Sequence, residues 1–324
     1  MAVLGVDIGK SKFFVCLLQE GDRQARHKTF TNSVSGFDDL KAWLDSYVEG
    51  RLHVCMEAAG PYAMGLAEYA AALGYDVSIV NPLRIRRYAD SRLERIKTDK
   101  QDALVIALFC LREKPVLWTP RPVETKRLQE LVRRYEDLKK LKVQETNRLK
   151  SSALPTVEAS ISKMVAFIEQ EIEEIENAIR EHISNTPAIK EKVDLLVTIP
   201  GISVVTARKL LAEIDFANFR SARAVAAFVG LTPALRQSGT ALNARARISK
   251  VGHPGVRHAL YLPALVALRF NPILKTFADT LRQRGKAKMA VVCAVMRKLL
   301  HIAYGVLKSG KPFDPEHVEA WQPS

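Results

Sequence analysis

From its second residue the chain alternates apolar and polar positions. Residues 3–18, VLGVDIGKSKFFVCLL, do so on both sides of Gly9 and Lys10 and predict two strands joined by a tight turn, with a third strand at 26–31. Ser33 then offers an N-cap for a helix that carries Phe37, Leu40, Leu44 and Tyr47 on one face. LHVCME at 52–57 reads as a buried strand. Gly60-Pro61 breaks the chain, a helix runs over about 62–73 to Gly74, and DVSIV at 76–80 supplies another strand. A helix over about 99–112 closes the segment.

Three strands, helix, strand, helix, strand, helix is the element order of an α/β ribonuclease-H-like domain, of the Holliday-junction-resolvase kind, here expected over 1–123. The period then changes. Ile161, Val165, Ile168, Ile172, Ile175 and Ile179 form a heptad seam, Leu128, Leu131, Tyr135, Leu138 and Leu141 form a second, and Pro155 separates them. A helical coiled-coil linker is expected over 124–186, packed as an antiparallel hairpin or against another chain. Over 187–324 a mostly helical domain follows. Its opening, LLVTIPGISVVTARKLLAEI at 195–214, pairs two helices across a Pro-Gly turn like a helix-hairpin-helix, with Ser203 where a second glycine is common.

Charge changes this picture more than composition does. With 324 residues, 48% of them hydrophobic, the chain has ample material for a core. Its net charge is +14, and between Arg236 and Lys311 stand 15 Lys and Arg against one acid, Asp279, while the remainder balances at 34 of each sign. A field gathered in one segment favours a polyanion, because each neutralised phosphate releases condensed counterions. Nucleic acid is therefore the expected partner. Cys16, Cys55, Cys110 and Cys293 are scattered and form no CxxC pair, which points away from a disulfide framework or a zinc site and toward a reducing compartment. The N-terminus reads as a strand, not a secretory signal, and the longest apolar stretch noted, 259–268, is too short to span a bilayer. A soluble cytoplasmic protein without a membrane partner is expected.

Two constellations have chemical potential. Asp7 lies within the first strand between Val6 and Ile8, Glu57 ends the fourth, and Asp99 and Asp102 start a helix three residues apart, on one face. In a ribonuclease-H-like sheet these positions converge on one edge, where four carboxylates repel unless divalent cations lie between them. Mg²⁺ is the natural oxygen-seeking choice. The second constellation is the polar stretch from 230 to 262, read as flexible and lying between helices. There Ser238 precedes a glycine, with Arg236, Arg245, Arg247, Lys250 and Arg257 nearby as candidate nucleic-acid contacts. A serine attacks a phosphodiester only when its proton is removed and the phosphorane charge is neutralised.

The acidic quartet, followed by TIPGISVVTARKLLAEI, FVGLTPALRQSGT and KVGHPGVRHALYL in that order, resembles the DEDD insertion-sequence transposases, or bridge-RNA-guided recombinases, along essentially the whole chain. The resemblance implies that Asp7, Glu57, Asp99 and Asp102 hold Mg²⁺ and that Ser238 forms a covalent phosphoserine link to a DNA end. It also implies a homotetramer, a dimer of dimers, in which one protomer's acids act with another's serine, working with the nucleoid of a bacterium. A structured noncoding guide RNA would pair with donor and target DNA, leaving backbone and shape to the protein. Other readings are a junction-resolving nuclease using the carboxylates alone, a nucleic-acid-binding scaffold, and a sugar-kinase-like phosphotransferase suggested by VDIGKSK, which lacks a second phosphate loop.

Overall fold

The computed structural model describes residues 2–19, 24–58, 60–92, 98–238, 242–249 and 251–316, without the side chains at 61, 234–238 and 242–247. The chain packs as two units, Met1–Pro120 and Arg121–Ser324.

In the first unit β1 (Ala2–Ile8), β2 (Lys12–Gln19), β3 (Arg26–Thr31), β4 (Leu52–Glu57) and β5 (Asp76–Val80) form one sheet in the order β3-β2-β1-β4-β5. β2 runs antiparallel to both β1 and β3, and β1, β4 and β5 are parallel. This is the ribonuclease-H-like order. Strand alternation divides the side chains between two faces. Leu4, Val6, Phe13 and Met56 pack with Phe37, Leu40 and Leu44 of α1 (Val34–Asp45) and Leu66 of α2 (Pro61–Ala72). Val3, Cys16 and Cys55 on the opposite face pack with Ile85 of α3 (Pro82–Ser91) and with Ala103, Ile106 and Cys110 of α4 (Asp99–Glu113).

The sequence expectations did not include α3. Its signal is the pair Asn81-Pro82: the Asn81 side chain accepts from the Leu83 N–H at 2.8 Å, and proline suits a first helical position. Gly5 sets how closely α4 lies on the sheet. A Cβ there would come 2.2 Å from Ala103 O and 2.4 Å from Ala107 N, so only glycine lets the helix backbone rest on β1.

The second unit begins with α5 (Val123–Ser151) and α6 (Pro155–Ser184). They form an antiparallel hairpin: His182 Nε2 donates to Glu124 O at 2.8 Å, and Lys142 pairs with Glu169 at 2.7 Å. From the predicted seams Leu128, Leu138, Ile168 and Ile179 are buried, whereas Leu141, Leu154 and Val157 near the tip are exposed. Leu128, Val132 and Ile179 share a core with α7 (Pro187–Val197), α8 (Val204–Glu213), α9 (Ala222–Val229), α10 (Pro254–Phe270), α11 (Pro272–Gln283) and α12 (Lys288–Ser309). The long helices thus belong to the C-terminal core, where the change of period suggested a separate linker. By length and composition α12 is apolar enough to cross a bilayer, contrary to the expectation drawn from 259–268. Its Val291, Val295, Leu299 and Leu300 are turned into this core.

The segment read as a flexible stretch is a two-stranded antiparallel ribbon, β6 (Pro233–Ser238) and β7 (Leu242–Ile248). The sequence carries the strand signal, since Leu242, Ala244, Ala246 and Ile248 alternate strictly with Asn243, Arg245 and Arg247. Three arginines and the alanines disguised it as solvated loop.

A buried polar cluster joins the helices of the second unit. The Glu213 side chain, 2% exposed, receives Arg133 Nη2 at 2.8 Å and Nε at 3.0 Å, Lys209 Nζ at 3.1 Å and Gln129 Nε2 at 3.3 Å. Lys209 also donates to Glu136 at 2.6 Å. Beside it, Arg208 grips Glu176 with both terminal nitrogens, at 2.6 and 2.9 Å, and lies over the Tyr135 ring. Burial alone raises the Glu213 pKa; the hydrogen bonds from His253 and Arg133 and the charges of Lys209 and Arg133 outweigh it and hold the carboxyl far below the usual range.

Two predictions follow from this packing. Gly5→Ala forces α4 off β1 and should destabilise the first unit by about 1–3 kcal/mol, read as a lower thermal midpoint. Because folding depresses the Glu213 pKa, its contribution is full above the ordinary value of 4.5 and is lost as pH falls below it. Glu213→Gln should therefore lower stability by roughly 3–5 kcal/mol near neutrality. The deficit against the parent protein should shrink as thermal unfolding is repeated from pH 6 down to pH 3.

Candidate active site

Register and packing bring three elements of the first unit to one end of the sheet. The parallel pairing of β1 with β4 runs to Val6↔Met56, so Asp7 and Glu57 occupy the next position at the carboxyl ends of neighbouring strands. Both belong to the alternation that puts Val3 and Cys55 against α4. The direction of α4 follows from its contacts. Ala103 and Ala107 lie over Gly5, whereas Cys110 hydrogen-bonds Cys55 and His53 farther back along β4. The first turn of α4, with Asp99 and Asp102, therefore lies toward the end where Asp7 and Glu57 stand. Thr98 caps that turn, its hydroxyl accepting from Gln101 N–H at 3.2 Å. The positive end of the helix dipole adds a field that favours carboxylates.

Asp7, Glu57 and Asp102 are half-buried and Asp99 is exposed. Asp7, Glu57 and Asp102 each take part in a hydrogen bond or electrostatic interaction. Among the described residues no three acidic, histidine or cysteine side chains gather tightly enough to share an ion. Shared placement is thus a property of the fold, whereas a closed ligand shell is not formed. Four carboxylates, two at strand ends and two in the first turn of a helix, are of the oxygen-donor type that suits a hard divalent cation.

In the second unit Ser238 is the last residue of β6 and pairs with Leu242. The side chains of Ser238, Arg236, Arg245 and Arg247, and the whole of Lys250, lie outside the described residues. The root of the ribbon is held by backbone hydrogen bonds. Ser249 N–H donates to Thr232 O at 2.8 Å and His253 N–H to Phe228 O at 3.1 Å. Gly252, at φ +139°, sits where a Cβ would come 2.2 Å from Phe228 O, so both its conformation and its space demand glycine. Arg257 donates from Nη1 to Val229 O at 2.8 Å, which gives this predicted nucleic-acid contact a structural task.

His253 and Glu213 escaped the sequence reading. His253 Nε2 lies 3.2 Å from Glu213 Oε2, and its Nδ1 accepts from Val256 N–H at 3.2 Å. The signal was the opposite charges of Lys209 and Glu213 inside the apolar run LLAEI. A histidine backed by a carboxylate has the form of a general base, but here distance decides against that role within one chain. Strand residues rise about 3.3 Å each, so Pro233 to Ser238 spans roughly 17 Å, with His253 at the root and Ser238 at the tip. Ser203 is likewise structural, capping α8 by accepting from Thr206 N–H at 3.4 Å.

The sequence is similar to known proteins. A DEDD family model of IS110 elements, described as a transposase, matches residues 4–157, and the model described as the transposase IS116/IS110/IS902 family matches residues 193–279. The chain is 35% identical to the pilin gene-inverting protein of Moraxella bovis over 315 residues, 96% of this chain and 97% of that one. It is 25% identical to the transposase for insertion sequence element IS1328 of Yersinia enterocolitica, across 97% of this chain and 98% of the other. On these matches the chain belongs to the IS110/IS116/IS902 family of insertion-sequence transposases.

Proposed function

We propose that this recombinase cuts and rejoins DNA through Ser238, with Mg²⁺ held by Asp7, Glu57, Asp99 and Asp102. The observation that supports the reading is that the ends of β1 and β4 and the start of α4 lie toward one end of the sheet, so that carboxylates from distant parts of the chain stand on the same side. Bound there, a divalent ion supplies electrostatic stabilisation of the charge that develops on phosphoryl oxygens.

The chain's own residues supply the rest. Ser238 Oγ attacks the phosphorus; an Oγ–P bond forms, the P–O bond to the leaving deoxyribose oxygen breaks, the serine proton passes to a base, and the leaving oxygen takes up a proton. The number of phosphodiester bonds is unchanged, so a second DNA end can reverse the step without an external energy source. A hydrolytic nuclease cannot do this. Similarity to a protein named for inverting a pilin gene favours strand exchange over hydrolysis, since inversion requires the ends to be rejoined.

His253 lies too far along the ribbon to take the Ser238 proton, so the acceptor comes from outside the root, and the carboxylates are the natural source. A serine at the end of a ribbon suits a composite centre in which one protomer's acids serve another's hydroxyl. Exposed Leu141, Leu154 and Val157 toward the tip of the α5–α6 hairpin favour assembly into the proposed tetramer. The basic segment from Arg236 to Lys311 is suited to the backbones of donor DNA, target DNA and a structured guide RNA, with base pairing reading the sequence.

Ser238→Ala should abolish covalent protein–DNA adducts and strand exchange while nucleic-acid binding survives, as read on denaturing gels and by equilibrium binding. Persistent exchange would remove Ser238 as the nucleophile, whereas cleavage without adducts or exchange would make water the nucleophile. Asp102→Asn should slow cleavage by roughly 100-fold or more, corresponding to the several kcal/mol that ion-mediated charge stabilisation provides. The same substitution should weaken Mn²⁺ binding, measured with Mn²⁺ as the probe; an unchanged rate and affinity would remove Asp102 from the site.

A further inference from the structure

The ribbon that bears Ser238 leaves the second unit through a root where the chain enters and returns, and the return is governed by His253. The residue has three attachments. Its backbone N–H donates to Phe228 O at 3.1 Å, closing the root against the end of α9. Its Nδ1 accepts from Val256 N–H at 3.2 Å, capping α10, so that nitrogen carries a lone pair and the ring proton resides on Nε2. Nε2 then donates to Glu213 Oε2 at 3.2 Å.

The third attachment reaches beyond local capping. Glu213 is fixed by Arg133 and Gln129 of α5 and by Lys209 of α8, so its carboxylate is a firmly placed acceptor. Through His253 that fixed point is transferred to the residue directly after Gly252, where the polypeptide passes close beside Phe228. An asparagine at 253 would satisfy the cap and leave the backbone bond in place, but it is too short to reach Glu213. The choice of histidine is therefore explained by the link, not by the cap.

We propose that His253 is a positioning residue for strand transfer: it ties the buried Glu213 cluster to the ribbon root and so sets the direction in which the ribbon presents Ser238. Small angular freedom at a root is magnified along a strand of roughly 17 Å. Reaction requires the attacking atom within a fraction of an ångström of its line of approach. The inference rests on the reading of Ser238 as nucleophile, and its test separates the two.

The test uses the full-length protein with His253→Asn, His253→Ala and Ser238→Ala. Amide hydrogen exchange is followed in 233–238 and 242–248, with α5 and α6 as reference, alongside thermal unfolding and the dependence of adduct formation on DNA concentration. His253→Asn should lower the thermal midpoint only by what one hydrogen bond to a charged group provides, accelerate ribbon exchange by roughly tenfold, and lower the maximal adduct rate with little change in half-saturating DNA. His253→Ala should accelerate exchange equally and lose further thermal stability, because the α10 cap goes too. Parent-like ribbon exchange and rate in His253→Asn would overturn the proposal, as would a fall in rate that only tracks lost stability across both variants. Adducts that persist in Ser238→Ala would refute the nucleophile assignment, and the exchange comparison would still decide whether His253 fixes the ribbon.

Discussion

Burying a carboxylate is unfavourable by several kcal/mol unless its partners are already in place, and that requirement organises the second unit. Glu213 meets it with donors from two helices and from the residue that opens a third. None of these contacts is local in sequence except the one from Lys209. The helices must therefore arrive in one arrangement for the charge to be compensated. Replacing the cluster with leucine and methionine would bury the space equally well, yet it would not dictate which way α10 begins. What the ion cluster adds is a unique geometry at the point where the ribbon departs.

The first unit solves the complementary problem of keeping like charges together. A carboxylate at the end of a parallel strand has an unfilled backbone edge beside it, and the neighbouring strand supplies a second one in register. Gly5 allows α4 to lie directly on β1, which brings a helix N-terminus and two further acids to the same end. The field of the helix offsets part of the repulsion, but not four charges. Stability alone would favour fewer acids there. A shared cation is part of the function proposed above, and the segment that carries these acids lies within the match to the DEDD transposase family model, residues 4–157.

Much of this was legible in the sequence where a single period governed a whole segment. Alternation in β1 and β2, the cap at Ser33, the Gly60-Pro61 break and the isoleucine seam of α6 all fixed local structure by short-range physics. Asp7 and Glu57 stand out because they interrupt apolar strands, whereas Asp99 and Asp102 are marked only by their three-residue spacing at a helix start. Reading failed where two signals overlapped. Strand β7 has perfect alternation, but its apolar positions include two alanines and its polar ones two arginines, which concealed the period. The α3 helix is too basic to show an apolar stripe and is marked only by Asn81-Pro82. Glu213 and His253 are 40 residues apart and have no shared local pattern; their pairing exists only once α8 and α10 are packed.

The distance between His253 and Ser238 has a consequence for how the site must work. A hydrolase can keep its serine, base and orienting acid within one rigid cluster because its product leaves. In the mechanism proposed above, a cleaved end is held covalently while the other end is exchanged. A hydroxyl on a ribbon would then leave the covalent end room to move, which a serine embedded in a sheet edge would not. The ribbon then has to be stiff at its root and clear at its tip. Those two demands account for the glycine, the histidine and the buried carboxylate found together where β7 returns to the helical core.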